Sequence, residues 1–189
     1  MKEEIVYIIR RFQTISSIII FLIVLALCWV TADLNITKIQ LSHWSNIEKI
    51  STFWNNSLVM LGITTWVNQW VWLSKHKRMT RTVIPRIMFT IVSACLIFTG
   101  IFSMDYKIAH NIFAFSYFLL YPFAIFATSY LNRTSIRWNN WITMMVTSVA
   151  MIVIPISLIP IWSGMAPSEL AHSALVIWWN IWILTKGVN

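Results

Sequence analysis

Six apolar runs govern what this chain can fold into, because each approaches the roughly 20 residues of helix that cross about 30 Å of hydrocarbon. They cover about Ile15–Ala32, Ser57–Ser74, Ile87–Phe102, His110–Tyr130, Trp141–Trp162 and Ser168–Thr185. Core helices of soluble domains are shorter and amphipathic. These runs are apolar on all sides, and charged residues make up only 11% of the chain. The mean hydropathy of +0.71 leaves too little polar surface for a soluble domain of 189 residues. In lipid every backbone N–H and C=O must be satisfied internally, so only helices and closed barrels can cross. The runs lack the period-two alternation of barrel strands. The sequence therefore predicts an all-α, polytopic membrane helical bundle of about six transmembrane helices, a single transmembrane domain over residues 1–189.

Charge gives the bundle a direction. With the N-terminus inside, the inner segments carry Lys2, Arg10, Arg11, Lys75, Lys77, Arg78, Arg81, Arg86, Arg133, Arg137 and Lys186, and the outer segments carry Lys38, Lys49 and Lys107. Eleven against three is the positive-inside pattern, with both ends cytoplasmic. The formal charge of +8 is thereby read as a topology signal that also attracts lipid head groups. No nucleic-acid motif accompanies it, so no nucleic-acid partner is expected. The expected setting is the inner membrane of a prokaryotic cell, with lipids, other membrane subunits or a second copy of the chain as partners. Cys28 and Cys95 sit in different runs at no metal or redox spacing. The two three-span halves share no convincing repeat, which argues against an inverted-repeat transporter.

Several segments recur in one order. Leu41-Ser42 precedes Asn55-Asn56-Ser57-Leu58-Val59-Met60-Leu61-Gly62, then Gly100-Ile101-Phe102-Ser103-Met104-Asp105, then His110 and an aromatic run from Phe113 to Phe126 with Pro122, then Pro167-Ser168-Glu169-Leu170. This order resembles the family catalogued as domain of unknown function 998, small six-span proteins of bacteria and archaea, over roughly Ile15 to Leu184. Trp44-Ser45 stands where that family's outer loop has a Gly after Leu-Ser. The resemblance implies architecture and no substrate.

Ionisable groups beside or within spans are costly, so each needs a reason. Asp105 and His110 fall at the outer mouth of span 4, and Glu169 and His172 at that of span 6, with His43 in the outer loop. Glu169 and His172 are three apart and share a helix face. Three readings stand open. In the first the groups simply cap helices, with Ser168 as N-cap beside Glu169. They could form a ligand or proton-linked site. They could hold a metal through His110, His172 and Glu169, although no compact two-ligand motif is present. No cofactor is implied.

Deeper, Asn68, Tyr121 and Asn180 fall roughly 16–18 Å from the outer side at 1.5 Å per residue. The stripes His110–Ala114–Tyr117–Tyr121 and Glu169–His172–Val176–Asn180 would face inward and join the two levels. The functional expectation is an outward-facing polar cavity between spans 2, 4 and 6 for a small molecule, lipid or proton. The alternatives are an accessory or scaffolding subunit of a larger membrane complex, and a metal-dependent intramembrane enzyme. No nucleophile–base pair, phosphate-binding glycine loop or zincin motif appears, which weighs against an enzyme. Trp29, Trp44, Trp54, Trp72, Trp138, Trp141 and Trp162 near span ends read as an interfacial belt.

Overall fold

A computed structural model describes residues 2–32, 41, 44, 50–75, 81–161 and 166–186. Among them are six α-helices and no strand: α1 (Lys2–Ala32), α2 (Ser51–Lys75), α3 (Val83–Ile101), α4 (Lys107–Leu131), α5 (Trp138–Leu158) and α6 (Ala166–Lys186), with a 3-10 turn at Met104–Tyr106 before α4. The chain is an all-α helical bundle. Four helices are long and apolar enough to cross a membrane: α1 over Ile8–Leu27, α3, the turn with α4, and α5.

The outward surface agrees with that solvent. Ile19, Ile23 and Leu27 of α1, Ile87 and Ile91 of α3, Ile112 and Phe115 of α4, and Val149 and Val153 of α5 are all exposed. Water-soluble surfaces rarely carry apolar area on this scale. The chain is thus a multi-pass membrane protein.

Several boundaries depart from the sequence expectation. The first helix begins at Lys2, so the mixed segment before Ile15 is helical. The second begins at Ser51, six residues before the expected Ser57. α5 stops at Leu158, and Pro160 lies in the turn beyond it, where Ile159 and Ile161 donate to the carbonyls of Ile156 and Leu158. α6 starts at Ala166 with Pro167 in its first turn, where a missing N–H costs nothing. Ser168 is therefore inside the helix rather than its N-cap, and its hydroxyl donates to the Pro155 carbonyl of α5 at 2.8 Å.

Each helix packs on the next in sequence, and α6 returns against α1 and α2 to close the bundle. The α2–α3 seam is the tightest. A Cβ on Gly100 would come within 2.6 Å of the Asn55 carbonyl oxygen, and one on Gly62 within 3.1 Å of the Ser93 carbonyl oxygen. Small residues let membrane helices approach closely enough for dispersion forces to hold them. At the other end of the seam Trp66 and Trp70 both donate to the Thr90 hydroxyl, and the Arg86 guanidinium lies over the Trp70 ring at 5.3 Å. Arg86 thus has a packing role as well as a charge.

The tryptophans are not all an interfacial belt. Trp44, Trp54 and Trp72 are buried, as is Trp179. Trp72 meets Trp179 edge-on at 5.8 Å, and Trp179 stacks on Trp182 at 5.0 Å. These large rings fill the space between α2 and α6, where a shorter side chain would leave a void. Trp138 is exposed, as expected near an interface. Trp162 lies outside the described residues, and so do the side chains of Trp29 and Cys28.

Candidate functional site

The interior holds two polar levels, and the predicted residues divide between them. The first is a cavity at the end where α1, α3 and α5 finish and α2, α4 and α6 begin. It has a volume of about 50 Å³, enough for a few water molecules and about a third of a cavity that admits benzene. Aromatic walls come from Phe21 of α1, Trp54 of α2, and Tyr117 and Phe118 of α4. Leu58, Leu61, Leu96 and Ala114 supply aliphatic surface. The polar groups facing it are Thr99 of α3, His110 of α4, and Glu169 and Ser173 of α6. Leu41 closes one side, and its N–H donates to Glu169 Oε2. Trp44, buried beside it, meets Trp54 edge-on at 5.0 Å.

His110 is held in one orientation. Its Nδ1 lies 2.6 Å from the carbonyl of Phe102, the C-cap of α3. That carbonyl is one of the four a helix end leaves without an intrahelical partner. A carbonyl oxygen only accepts, so Nδ1 carries the proton, and in the neutral ring Nε2 is a lone pair. The ring is fully buried, and Nε2 has no hydrogen-bond partner among the described residues.

His172 does not share this cavity's lining. One turn beyond Glu169, it is boxed by the rings of Phe118, Tyr117 and Tyr121, with centroids 4.7, 5.6 and 6.3 Å away. Its Nδ1 reaches the Met151 carbonyl of α5 at 3.4 Å. That carbonyl is free because the residue four positions on is Pro155, which has no N–H to offer it. His172 and Ser168 together satisfy two carbonyls at the proline interruption.

Asp105 is not part of the constellation. It is exposed in the 3-10 turn and accepts from the Ser103 hydroxyl at 3.0 Å. Two residues upstream of α4, it is exposed on the turn, and its expected partnership with His110 at the mouth is not made. His43 lies outside the described residues.

The second level lies roughly 16 Å further along α4, eleven residues at 1.5 Å each. Here Asn68, Asn180 and Tyr121 do meet: Asn68 Nδ2 donates to Asn180 Oδ1 at 3.2 Å, and Asn180 Nδ2 donates to the Tyr121 hydroxyl at 3.4 Å. Thr65 and Gln69 of α2 lie beside that hydroxyl. The inward stripes hold: His110, Tyr117 and Tyr121 on α4, and His172, Val176 and Asn180 on α6, are all buried.

The anchor of this level is not among the residues that the sequence singles out for the interior. Arg10, expected as an inner-side topology charge, is 3% exposed. Its Nε donates to Asn68 Oδ1 at 3.1 Å and a terminal nitrogen reaches the Ile183 carbonyl at 3.4 Å. Thr14 also donates to Asn68 Oδ1 at 2.9 Å, and Ser17 pairs with Thr64 at 2.7 Å. The available signal was spacing: Arg10, Thr14 and Ser17 share one helix stripe, and so do Thr64, Asn68 and Gln69 with adjacent Thr65. A polar stripe on each of two neighbouring helices is costly unless the two face each other.

Among the described residues no group of three or more His, Cys, Asp or Glu is placed to hold a metal ion. His110 and His172, the candidate ligands, point their Nδ1 atoms at backbone carbonyls on different helices. No protein-family model, curated protein or solved structure matches this chain.

Proposed function

We propose that this protein crosses the membrane six times with both ends cytoplasmic and binds a small molecule in the cavity between α2, α4 and α6. The observation that carries the binding reading is His110: a fully buried imidazole, fixed through Nδ1, with its Nε2 unpartnered among the described residues and its ring on a cavity wall. Leaving a buried acceptor unsatisfied costs about 1–3 kcal/mol, and a bound donor would recover it. Small-molecule sites have this make-up, mostly apolar walls with a few placed polar groups. The volume of about 50 Å³ limits the enclosed part of the ligand to a head of a few heavy atoms.

That α2 and α6 also cross is supported by their place inside the closed bundle and by their 25 and 21 residues, enough for a span. Their mid-helix polar residues Asn68 and Asn180 are buried and bond to each other, to α1 and to α4 rather than facing lipid. The basic bias of the sequence supports the orientation. Kinship with the domain of unknown function 998 family and a place in a prokaryotic inner membrane belong to the same proposal and rest on the sequence alone.

The test is a ligand screen on purified protein by thermal shift, run in parallel on Ala114→Leu, whose added carbons enter the cavity. Ligands that stabilise the natural protein are expected to lose most of their effect in the variant. Equal shifts in both proteins, across every hit, would remove the cavity from the account.

A further inference from the structure

A second feature lies outside the cavity, on the outward face of the α2–α3 seam. Trp66 and Trp70 of α2 are exposed and meet edge-on at 6.1 Å, and Ile63, Ile87 and Ile91 are exposed along the same two helices. The two indole N–H groups are already used. Both donate to Thr90 Oγ1, at 3.1 and 3.0 Å, and that hydroxyl donates to the Arg86 carbonyl at 2.9 Å. The Arg86 guanidinium is only partly used. Nη2 donates to Ser74 Oγ at 3.2 Å, and the group lies over the Trp70 ring at 5.3 Å. Nε and Nη1 have no partner among the described residues. No described carboxylate pairs with the charge, and the sequence has no Asp or Glu between Glu48 and Asp105. A charge against apolar surface is costly unless it is paired.

The depth of the group indicates its partner. Arg86 is three residues beyond Val83, the start of α3, so it lies roughly 5 Å along that helix at 1.5 Å per residue. Ser74 is next to last in α2. No charged residue follows Arg86 until Asp105, and none precedes Lys75 back to Lys49. The guanidinium therefore stands where the apolar stretches begin, at the level of lipid head groups. Its planar fork fits a phosphate through two N–H bonds at once. Toward the middle of α2 the exposed faces of Trp70 and Trp66 offer a bed for an acyl chain. The connection Lys75-His76-Lys77-Arg78-Met79-Thr80-Arg81 is basic and carries no acid. That favours a lipid of net negative charge over one whose head also carries an ammonium. From this we infer that Arg86, held by Ser74 and Trp70, binds the phosphodiester of an anionic phospholipid whose acyl chain runs along Trp70 and Trp66. The inference is independent of the cavity beside His110.

The test is native mass spectrometry of the full chain, delipidated in detergent and titrated with phosphatidylglycerol, with phosphatidylcholine and inorganic phosphate as controls. The first phosphatidylglycerol is expected to bind roughly fivefold more tightly than the first phosphatidylcholine, the factor for one basic residue near an anionic head group. Arg86→Gln is expected to weaken it roughly tenfold, the worth of one charge-assisted bond. Arg86→Lys keeps the charge and loses the fork; it is expected to weaken binding severalfold and serves if the first variant does not fold. Arg137→Gln removes an exposed base ahead of α5 and is expected to leave the affinity unchanged. Inorganic phosphate at the same concentration is expected not to displace the lipid, because it has no chain to lie along the tryptophans. Displacement would assign the site to a free anion and overturn the lipid. Equal binding of the two lipids, equal loss in Arg86→Gln and Arg137→Gln, or unchanged affinity in every Arg86 variant that folds would each overturn the site. None of these outcomes bears on the ligand screen against Ala114→Leu.

Discussion

Arg10 of α1 donates from Nε to Oδ1 of Asn68 on α2 at 3.1 Å, inside the bundle. Asn68 in turn reaches Asn180, and Asn180 reaches Tyr121, so one side chain ties α1 to α2, α6 and α4. Arg10→Met would keep the stem volume and leave Asn68 and the Ile183 carbonyl short of a donor. The expected cost is about 1–3 kcal/mol, measured by chemical unfolding in detergent. Arg10→Met combined with Asn68→Leu should recover part of it, since removing both partners is less damaging than stranding one.

The two histidines should respond differently to the same substitution. His172 sits among three aromatic rings and makes a long 3.4 Å contact. His172→Phe should change stability by less than about 1.5 kcal/mol, as for a near-isosteric swap. His110→Phe breaks a 2.6 Å bond that caps α3 and should cost more, about 1–2 kcal/mol beyond the first variant. Parallel unfolding curves of the two proteins decide it; equal midpoints would remove the distinction drawn between them.

How much of this was legible beforehand is clearest at Asn68 and Arg10. The helix count, the inward stripes of α4 and α6, and the meeting of Asn68, Tyr121 and Asn180 follow from 3.6-residue periodicity and axial rise, which a sequence displays. Arg10 did not, because a basic residue near a span end has two physical fates, interface or interior. Only the partner helix decides between them. Asp105 failed for a related reason. Proximity in sequence to His110 is not proximity in space when a 3-10 turn redirects the chain. The buried Trp44, Trp54 and Trp72 resemble interfacial anchors until the packing of α2 shows otherwise.

Gly100 meets the Asn55 backbone so closely that a Cβ would lie 2.6 Å from its oxygen. Backbone cannot move aside as a flexible side chain can, so Gly100→Ala should push α2 and α3 apart and cost about 1–3 kcal/mol. Gly62→Ala meets the mobile tip of Ile97 at 2.7 Å as well as backbone at 3.1 Å and should cost less. Thermal denaturation of both variants gives the ranking, and the reverse order would contradict this picture of the seam.

Glu169 holds Leu41 over the cavity. Glu169→Ala should expose the Leu41 amide, speeding its hydrogen exchange by roughly tenfold to a hundredfold, the range for a bond to a charged acceptor. Mass-resolved exchange of the peptide containing Leu41 reads this directly. An unchanged rate would mean that other contacts hold the segment.

Orientation is open to labelling. In a protein lacking Cys28 and Cys95, Lys107→Cys should react with an impermeant maleimide added outside intact cells, and Thr134→Cys only after permeabilisation. Both positions are exposed in turns or first-turn helix. The reverse pattern would invert the bundle and place the cavity on the cytoplasmic side.

The central claim is that the cavity beside His110 and Glu169 is a binding site. An experimental density map of the protein in lipid, at a resolution that shows ordered water, tests it most directly. Non-protein density is expected within hydrogen-bond distance of His110 Nε2, enclosed by Trp54, Tyr117 and Phe118. A cavity collapsed by repacked side chains, with Nε2 bonded to a neighbouring protein group, would contradict it.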